Sequence, residues 1–286
     1  MGLQEADCNG DIKLKGGEMP TTTEYSLFGA NAYGGPVNSR LKHDLPGSWK
    51  RMNLPVAPVY LDNPVTGFRA HVYQNETTQE VVIACAGSDL SERGDRSAIG
   101  EIIVGRMPVQ VNDALNIYGL VNTHLNSKRI RAQISFTGHS LGGALAQYMA
   151  IAAQGFPAET FGAPGILHAL GSLKGDYNPG YPYPVVNHVA LGDPIGMIGT
   201  HLGTTNYFAL DAVDFIMPVA MHYLIRRLVV AGLLTYHGHS VDRYFNTFHR
   251  PGETVKPTGK KTYQNGKTYE RFKRFNGSGM AKDDYI

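Results

Sequence analysis

The hydrophobic pattern changes period once, sharply, between Ile134 and Met149. Ile134 and Phe136 alternate with Ser135 and Thr137 as along a strand, and after Gly138, Ser140 and Gly142 the apolar positions Leu145, Tyr148 and Met149 follow a helical pattern. Strand, tight turn and helix is the order this predicts. Upstream, Phe68 to Gln74 and Glu80 to Ala86 lie on either side of the turn residues NETT and predict a β-hairpin. Its second strand, VVIACA, is apolar at both alternating sets of positions, which places it centrally in a sheet covered on both faces. A helix is expected from Pro108 onward, with Val111, Ala114, Leu115, Tyr118, Val121 and Leu125 on one face. Downstream, AETFGAPGI and VVNHVAL read as two further strands, the second running out into Gly192-Asp193-Pro194. Near the start, Thr22 or Thr23 is expected to cap a short helix over Tyr25, Phe28 and Ala32. The Pro-rich chain from Leu41 to Gly67 is expected to wrap the sheet edge, and residues 1–20 to be flexible.

Two segments fit this alternation of elements less simply. Residues 89–108 open with charges and glycine and then gather Ile99, Ile102, Ile103, Val104 and Met107. A lid over an apolar cleft and a surface helix packed on the core both suit that pattern. Residues 210–236 are the most apolar in the chain, but Asp214, Pro218, His222, Arg226 and Arg227 break every window long enough to cross a bilayer. Helices covering the sheet, or a cap that touches a membrane surface, are the readings that remain.

Composition narrows the class. With 286 residues and 42% hydrophobic content the chain can bury a large core, and a net charge of +2 exerts no overall pull toward nucleic acid. The charge is uneven, since Arg250 to Ile286 hold nine Lys and Arg against four Asp and Glu. Residues 251–286 therefore read as a basic extension beyond a main domain over 21–250, suited to solvent or to an anionic membrane surface. Cys8 and Cys85 are the only cysteines and read as free thiols, with no disulfide framework or metal-ligand spacing. Glu5, Asp7 and Asp11 with no apolar core segment predict no Sec signal peptide, hence a cytoplasmic protein or one exported by a signal-independent route.

The chemistry centres on Ser140. A serine between glycines at a strand-to-helix turn is held in a strained backbone conformation with its hydroxyl exposed, and the following N–H, that of Leu141, faces any oxyanion formed there. This element order predicts an α/β-hydrolase fold, a central and mostly parallel sheet flanked by helices. Such a fold needs a second N–H from the loop after an early strand, and Ser88, after Gly87, stands in that place. An acid at the C-terminal end of a later strand is Asp193, with Asp211 and Asp214 as substitutes in a different kind of segment. The base comes last in this chain order, which leaves His237 and His239; the helix expected from Ser240 favours His239.

GHSLGGALAQ, VVIACAGSD, TFGAPG, the Gly192-Asp193-Pro194 turn and a late HS-x-D-x-Y, in that order over roughly residues 65–245, resemble the class 3 lipase family of fungal triacylglycerol lipases and bacterial lipases and phospholipases. The resemblance implies Ser140 as nucleophile, Asp193 as acid, His239 as base and the N–H groups of Ser88 and Leu141 as oxyanion hole. It further implies a lipid or ester substrate and a two-step acyl transfer that requires no cofactor or metal, while the apolar clusters at Ile99 to Met107 and Phe215 to Leu234 and the basic extension suggest a peripheral membrane surface as a partner. The separations, 53 residues from Ser140 to Asp193 and 46 from there to His239, match that family's layout. One departure is Ala86, where the family carries Arg before the glycine of its oxyanion strand. Export by type VI secretion is an analogy with some bacterial members. An acyltransferase or a soluble esterase with the same residues, and a non-catalytic interaction protein on the same fold, are the alternatives.

Overall fold

The computed structural model describes residues 19–34, 43–87, 93–190, 193–208, 239–248, 253–262, 268–276 and 281–284. Glu80–Cys85 (β4) is buried at every position, the apolar run Val81 to Cys85 and the Glu80 before it alike. It pairs antiparallel with Phe68–Asn75 (β3) and parallel with Gln133–His139 (β5), and the parallel order continues through Ala158–Phe161 (β6), Val185–Ala190 (β7) and Thr204–Phe208 (β8). Trp49–Arg51 (β1) and Asp62–Asn63 (β2) pair with β3 and make the edge that the Pro-rich segment was expected to wrap. The eight-stranded sheet runs β1-β3-β4-β5-β6-β7-β8, with β2 on β3. This is the α/β-hydrolase arrangement expected from the element order.

Alternate residues of β4 feed two cores. Val81, Ile83 and Cys85 face the helices Arg93–Ile103 (α2), Gln110–Ser127 (α3) and Leu141–Ala152 (α4). Val82 and Ala84 face a second cluster with Thr22–Asn31 (α1) and Val241–Phe248 (α5), built on Tyr25, Phe28, Trp49 and Tyr244. Burial leaves the Cys85 thiol free and pushes its pKa up, so it stays protonated.

Three local expectations are adjusted. The α1 cap is Thr21, and Thr22 and Thr23 lie inside the helix; Glu24, three residues on, closes a reciprocal capping box that neither of the later threonines has. On α3, Ile117 is fully buried while Leu115 and Tyr118 are only half-buried, because the face turned to the sheet is narrower than the apolar stripe. In the 89–108 segment, Ala98, Ile99 and Ile102 belong to the core, whereas Ile103 and Val104 are exposed. The apolar stretch 210–236, with Asp211, Asp214 and His222, lies outside the described residues, as do Cys8 and nearly all of the expected flexible N-terminus. No helix among the described residues is long and apolar enough to cross a membrane. After α5, Glu253–Thr262 (β9), Thr268–Asn276 (β10) and Ala281–Asp284 (β11) form a separate antiparallel sheet, structure that the basic composition of this region had not revealed.

Candidate active site

β5 ends at His139 and α4 starts at Leu141, so Ser140 alone makes the turn, at φ +58 and ψ −128. A non-glycine residue there stores roughly 1–3 kcal/mol of strain. The surroundings hold it: Ser140 N–H donates to the Phe161 carbonyl at 3.0 Å, and strand and helix touch at their glycines. A Cβ on Gly138 would sit 2.4 Å from the Gly142 carbonyl carbon, and one on Gly142 would sit 2.1 Å from the Cys85 carbonyl oxygen. These are backbone collisions that no side-chain movement relieves. Gly142→Ala should therefore cost about 3 kcal/mol or more, read as a lowered urea midpoint, whereas Gly119→Ala, with open space at its Cβ, should be neutral or stabilising.

Asp193 follows β7 and is almost fully buried. Its Oδ1 accepts the N–H groups of Ile195 and Gly196, each at 2.9 Å, and its Oδ2 accepts the Tyr244 hydroxyl at 2.6 Å. The remaining direction faces His239, whose Nδ1 lies 2.8 Å from Oδ1 and 3.0 Å from Oδ2. With that nitrogen donating, Nε2 is free to accept, and it stands 2.6 Å from Ser140 Oγ. Ser140, His239 and Asp193, chosen across 99 residues of sequence, thus meet in one hydrogen-bonded chain. Leu141 opens α4, where a first-turn N–H has no carbonyl four residues back to bond. Ser88 and His237 lie outside the described residues. Gly87, just before Ser88, lies against the elbow: a Cβ there would be 2.9 Å from Ser140 Cβ.

Sequence reasoning left three side chains without a role. Tyr244, five residues after His239 on α5, donates to Asp193 and also accepts the Ala190 N–H at 2.9 Å. Gly162 permits this approach, since a Cβ there would fall 2.8 Å from Asp193 Oδ2 and 2.9 Å from the Tyr244 ring. The late HS-x-D-x-Y pattern contained that tyrosine, and only the fold reveals its partner. Tyr244→Phe should leave the buried Ala190 N–H without an acceptor and cost about 1–3 kcal/mol in unfolding experiments. It should also lower kcat roughly tenfold, through a less firmly held carboxylate.

His139, inside the GHSLGG stretch, packs its ring against His239 with centroids 4.7 Å apart, and its Nδ1 is 2.8 Å from the Tyr33 hydroxyl. Burial first, and then the neighbouring His239 imidazole, hold His139 well below the ordinary histidine range; burial also lowers His201, whose Nε2 is 2.7 Å from the Ala163 carbonyl oxygen. In both the fold favours the neutral ring, whereas the unfolded chain takes up protons near the ordinary value of about 6.5. Below that pH the unfolded state binds more protons, so stability present above about pH 6.5 is lost as pH falls toward the folded values. Thermal unfolding at about pH 7.5 and about pH 5.5 should show this loss, and His139→Gln should reduce it.

Among the described residues no three His, Cys, Asp or Glu side chains gather as a metal ion would require. The arrangement has instead what proton transfer from a serine hydroxyl requires.

Residues 35–172 match the model of the Tle-like phospholipase domain, a phospholipase-like family. The match spans the elbow with Ser140 and ends before Asp193 and His239, and it bears out the lipase-like character of the motifs. Among solved structures, the chain is similar to the Lip2 lipase of Yarrowia lipolytica, at 14% identity over 65% of this chain and 77% of that one, with a TM-score of 0.43. Lipase II from Rhizopus niveus is 16% identical over 56% of this chain and 66% of that one, TM-score 0.39. A mutant form of MDLA from Penicillium cyclopium is 13% identical over 65% and 76%, TM-score 0.42. No curated protein matches the chain.

Proposed function

We propose that this chain is a serine carboxylic-ester hydrolase acting on lipid esters, phospholipids foremost, through an acyl-enzyme at Ser140. The observation that carries the reading is the unbroken chain from Asp193 through His239 to Ser140 Oγ, at 2.8 Å and 2.6 Å, ending on a strained elbow. The match to a phospholipase-like domain supports the substrate class.

His239 Nε2 takes the Ser140 proton as Oγ attacks the ester carbonyl carbon. The carbonyl oxygen becomes an oxyanion, stabilised by the N–H of Leu141 and, by its position after Gly87, that of Ser88. Asp193 stabilises the imidazolium. His239 then protonates the leaving alcohol as its C–O bond breaks, which leaves the acyl group on Ser140. Water, deprotonated by His239, attacks the acyl carbon, and the acid leaves as Ser140 regains its proton. The ring of His139, kept neutral by its burial, lies beside the imidazole that becomes charged, so it adds no opposing charge.

Incubation with phosphatidylcholine, triacylglycerol and a short-chain p-nitrophenyl ester, followed by product analysis, tests the reading. Fatty acid and lysophospholipid from the first are expected. Cleavage of the p-nitrophenyl ester alone would reduce the function to a soluble esterase.

A further inference from the structure

The Asp193 carboxylate holds the His239 ring at Nδ1, and about that bond an imidazole is free to swing and carry Nε2 away from Ser140 Oγ. A second histidine blocks the swing. The His139 ring lies against His239 with 4.7 Å between centroids and 33° between planes, and against the Tyr244 ring at 5.4 Å, the same tyrosine whose hydroxyl holds Asp193. His139 is almost fully buried, so its own orientation depends on the groups around it. Tyr33 is one of them, with its hydroxyl 2.8 Å from His139 Nδ1.

The direction of that bond follows from the other side of the ring. There Nε2 is buried and makes no hydrogen bond of ordinary geometry, while the His239 backbone acts on the ring in the sense that favours an N–H toward it. A neutral imidazole carries one proton, so a proton on Nε2 leaves Nδ1 to accept from Tyr33. The Tyr33 hydroxyl in turn has a fixed place. Asn31, buried two residues earlier at the end of α1, accepts the His43 N–H at 2.7 Å and donates to the His43 carbonyl at 2.9 Å, which anchors the end of the helix. On its far side the hydroxyl packs on Gly87, where it is the first atom that a Cβ would strike, ahead of the His139 carbonyl oxygen at 2.6 Å. We propose that Tyr33 and His139 are positioning residues for the base, Tyr33 setting the ring and tautomer of His139, and His139 setting the orientation of His239. The role of His239 as base rests on the catalytic reading above, whereas the order of contacts from Tyr33 to His239 does not.

The test has a kinetic and a spectroscopic arm. In the first, kcat and KM are measured on one soluble ester. Tyr33→Phe should lower kcat roughly fivefold to twentyfold at constant KM, because the base is less well aligned while the substrate site is intact. His139→Leu should lower kcat at least as far, and the double variant no further than His139→Leu, since Tyr33 acts through the ring it supports. His139→Gln, whose amide keeps a donor near the place of Nε2, should recover part of that loss. In the second arm, proton NMR follows the low-field resonance of the His239 Nδ1–H bonded to Asp193, a signal that needs no turnover. It should broaden in Tyr33→Phe and in His139→Leu. Thermal unfolding verifies that each variant is folded. Additive losses in the double variant, or kcat and resonance both unchanged in Tyr33→Phe, would overturn the proposal. A resonance broadened in Tyr33→Phe with no ester hydrolysis by the wild-type chain would instead remove the catalytic reading and leave the positioning pair intact.

Discussion

Ser140→Ala should abolish ester hydrolysis to within the residual rate that binding and oxyanion stabilisation alone sustain, a fall in kcat of roughly three orders of magnitude or more. The substitution deletes only Oγ. Alanine adopts the φ of +58 with much the same strain as serine, and the Ser140 N–H to Phe161 bond is a backbone bond that remains. Folding should therefore be unchanged to within about 1 kcal/mol, which separates loss of a nucleophile from loss of structure. His239→Ala should fall as far as Ser140→Ala, and the double variant no further, because members of one catalytic unit fail together.

Asp193→Asn should lower kcat by roughly three to four orders of magnitude with KM nearly unchanged, and the reason is visible in the bonds of the carboxylate. The N–H groups of Ile195 and Gly196 still require an acceptor, which fixes the amide oxygen where Oδ1 now stands. The amide nitrogen is then left in the place of Oδ2, beside Tyr244 and His239, and it can only donate. His239 Nδ1 then faces a donor at 3.0 Å and an amide oxygen at 2.8 Å that two backbone N–H groups already share, so the tautomer with the proton on Nδ1 loses support and the imidazolium formed on taking the Ser140 proton loses its carboxylate charge. Steady-state kinetics on one soluble ester checks this: a rise in KM at constant kcat would mean that Asp193 serves binding and not the imidazole.

Local features were readable from the sequence and distant contacts were not. The elbow was legible because its cause is local: small residues at Gly138 and Gly142, a strand pattern before and a helix pattern after. The hairpin of β3 and β4 was legible for the same reason. Asp193 and His239 were reached by chain order and by resemblance, since nothing near either residue announces a partner 46 positions away. Residues Tyr25 to Asn31 of α1 are all buried, so α1 has no amphipathic stripe to announce that it covers the second face of the sheet. Tyr244, His139 and Tyr33 were missed because each has its meaning only through a contact across the fold. The C-terminal strands escaped notice because Lys, Arg and Gly interrupt their alternation.

The central claim is that the Ser140 hydroxyl, activated by His239, forms a covalent bond with an acyl carbon. The most direct measurement is intact and peptide mass spectrometry after reaction with a fluorophosphonate, which captures a serine only when its oxygen is made nucleophilic. One adduct per chain is expected, on Ser140, absent in Ser140→Ala and strongly slowed in His239→Ala and Asp193→Asn. An unlabelled Ser140 in a chain that still hydrolyses esters, or an adduct on another residue, would contradict it.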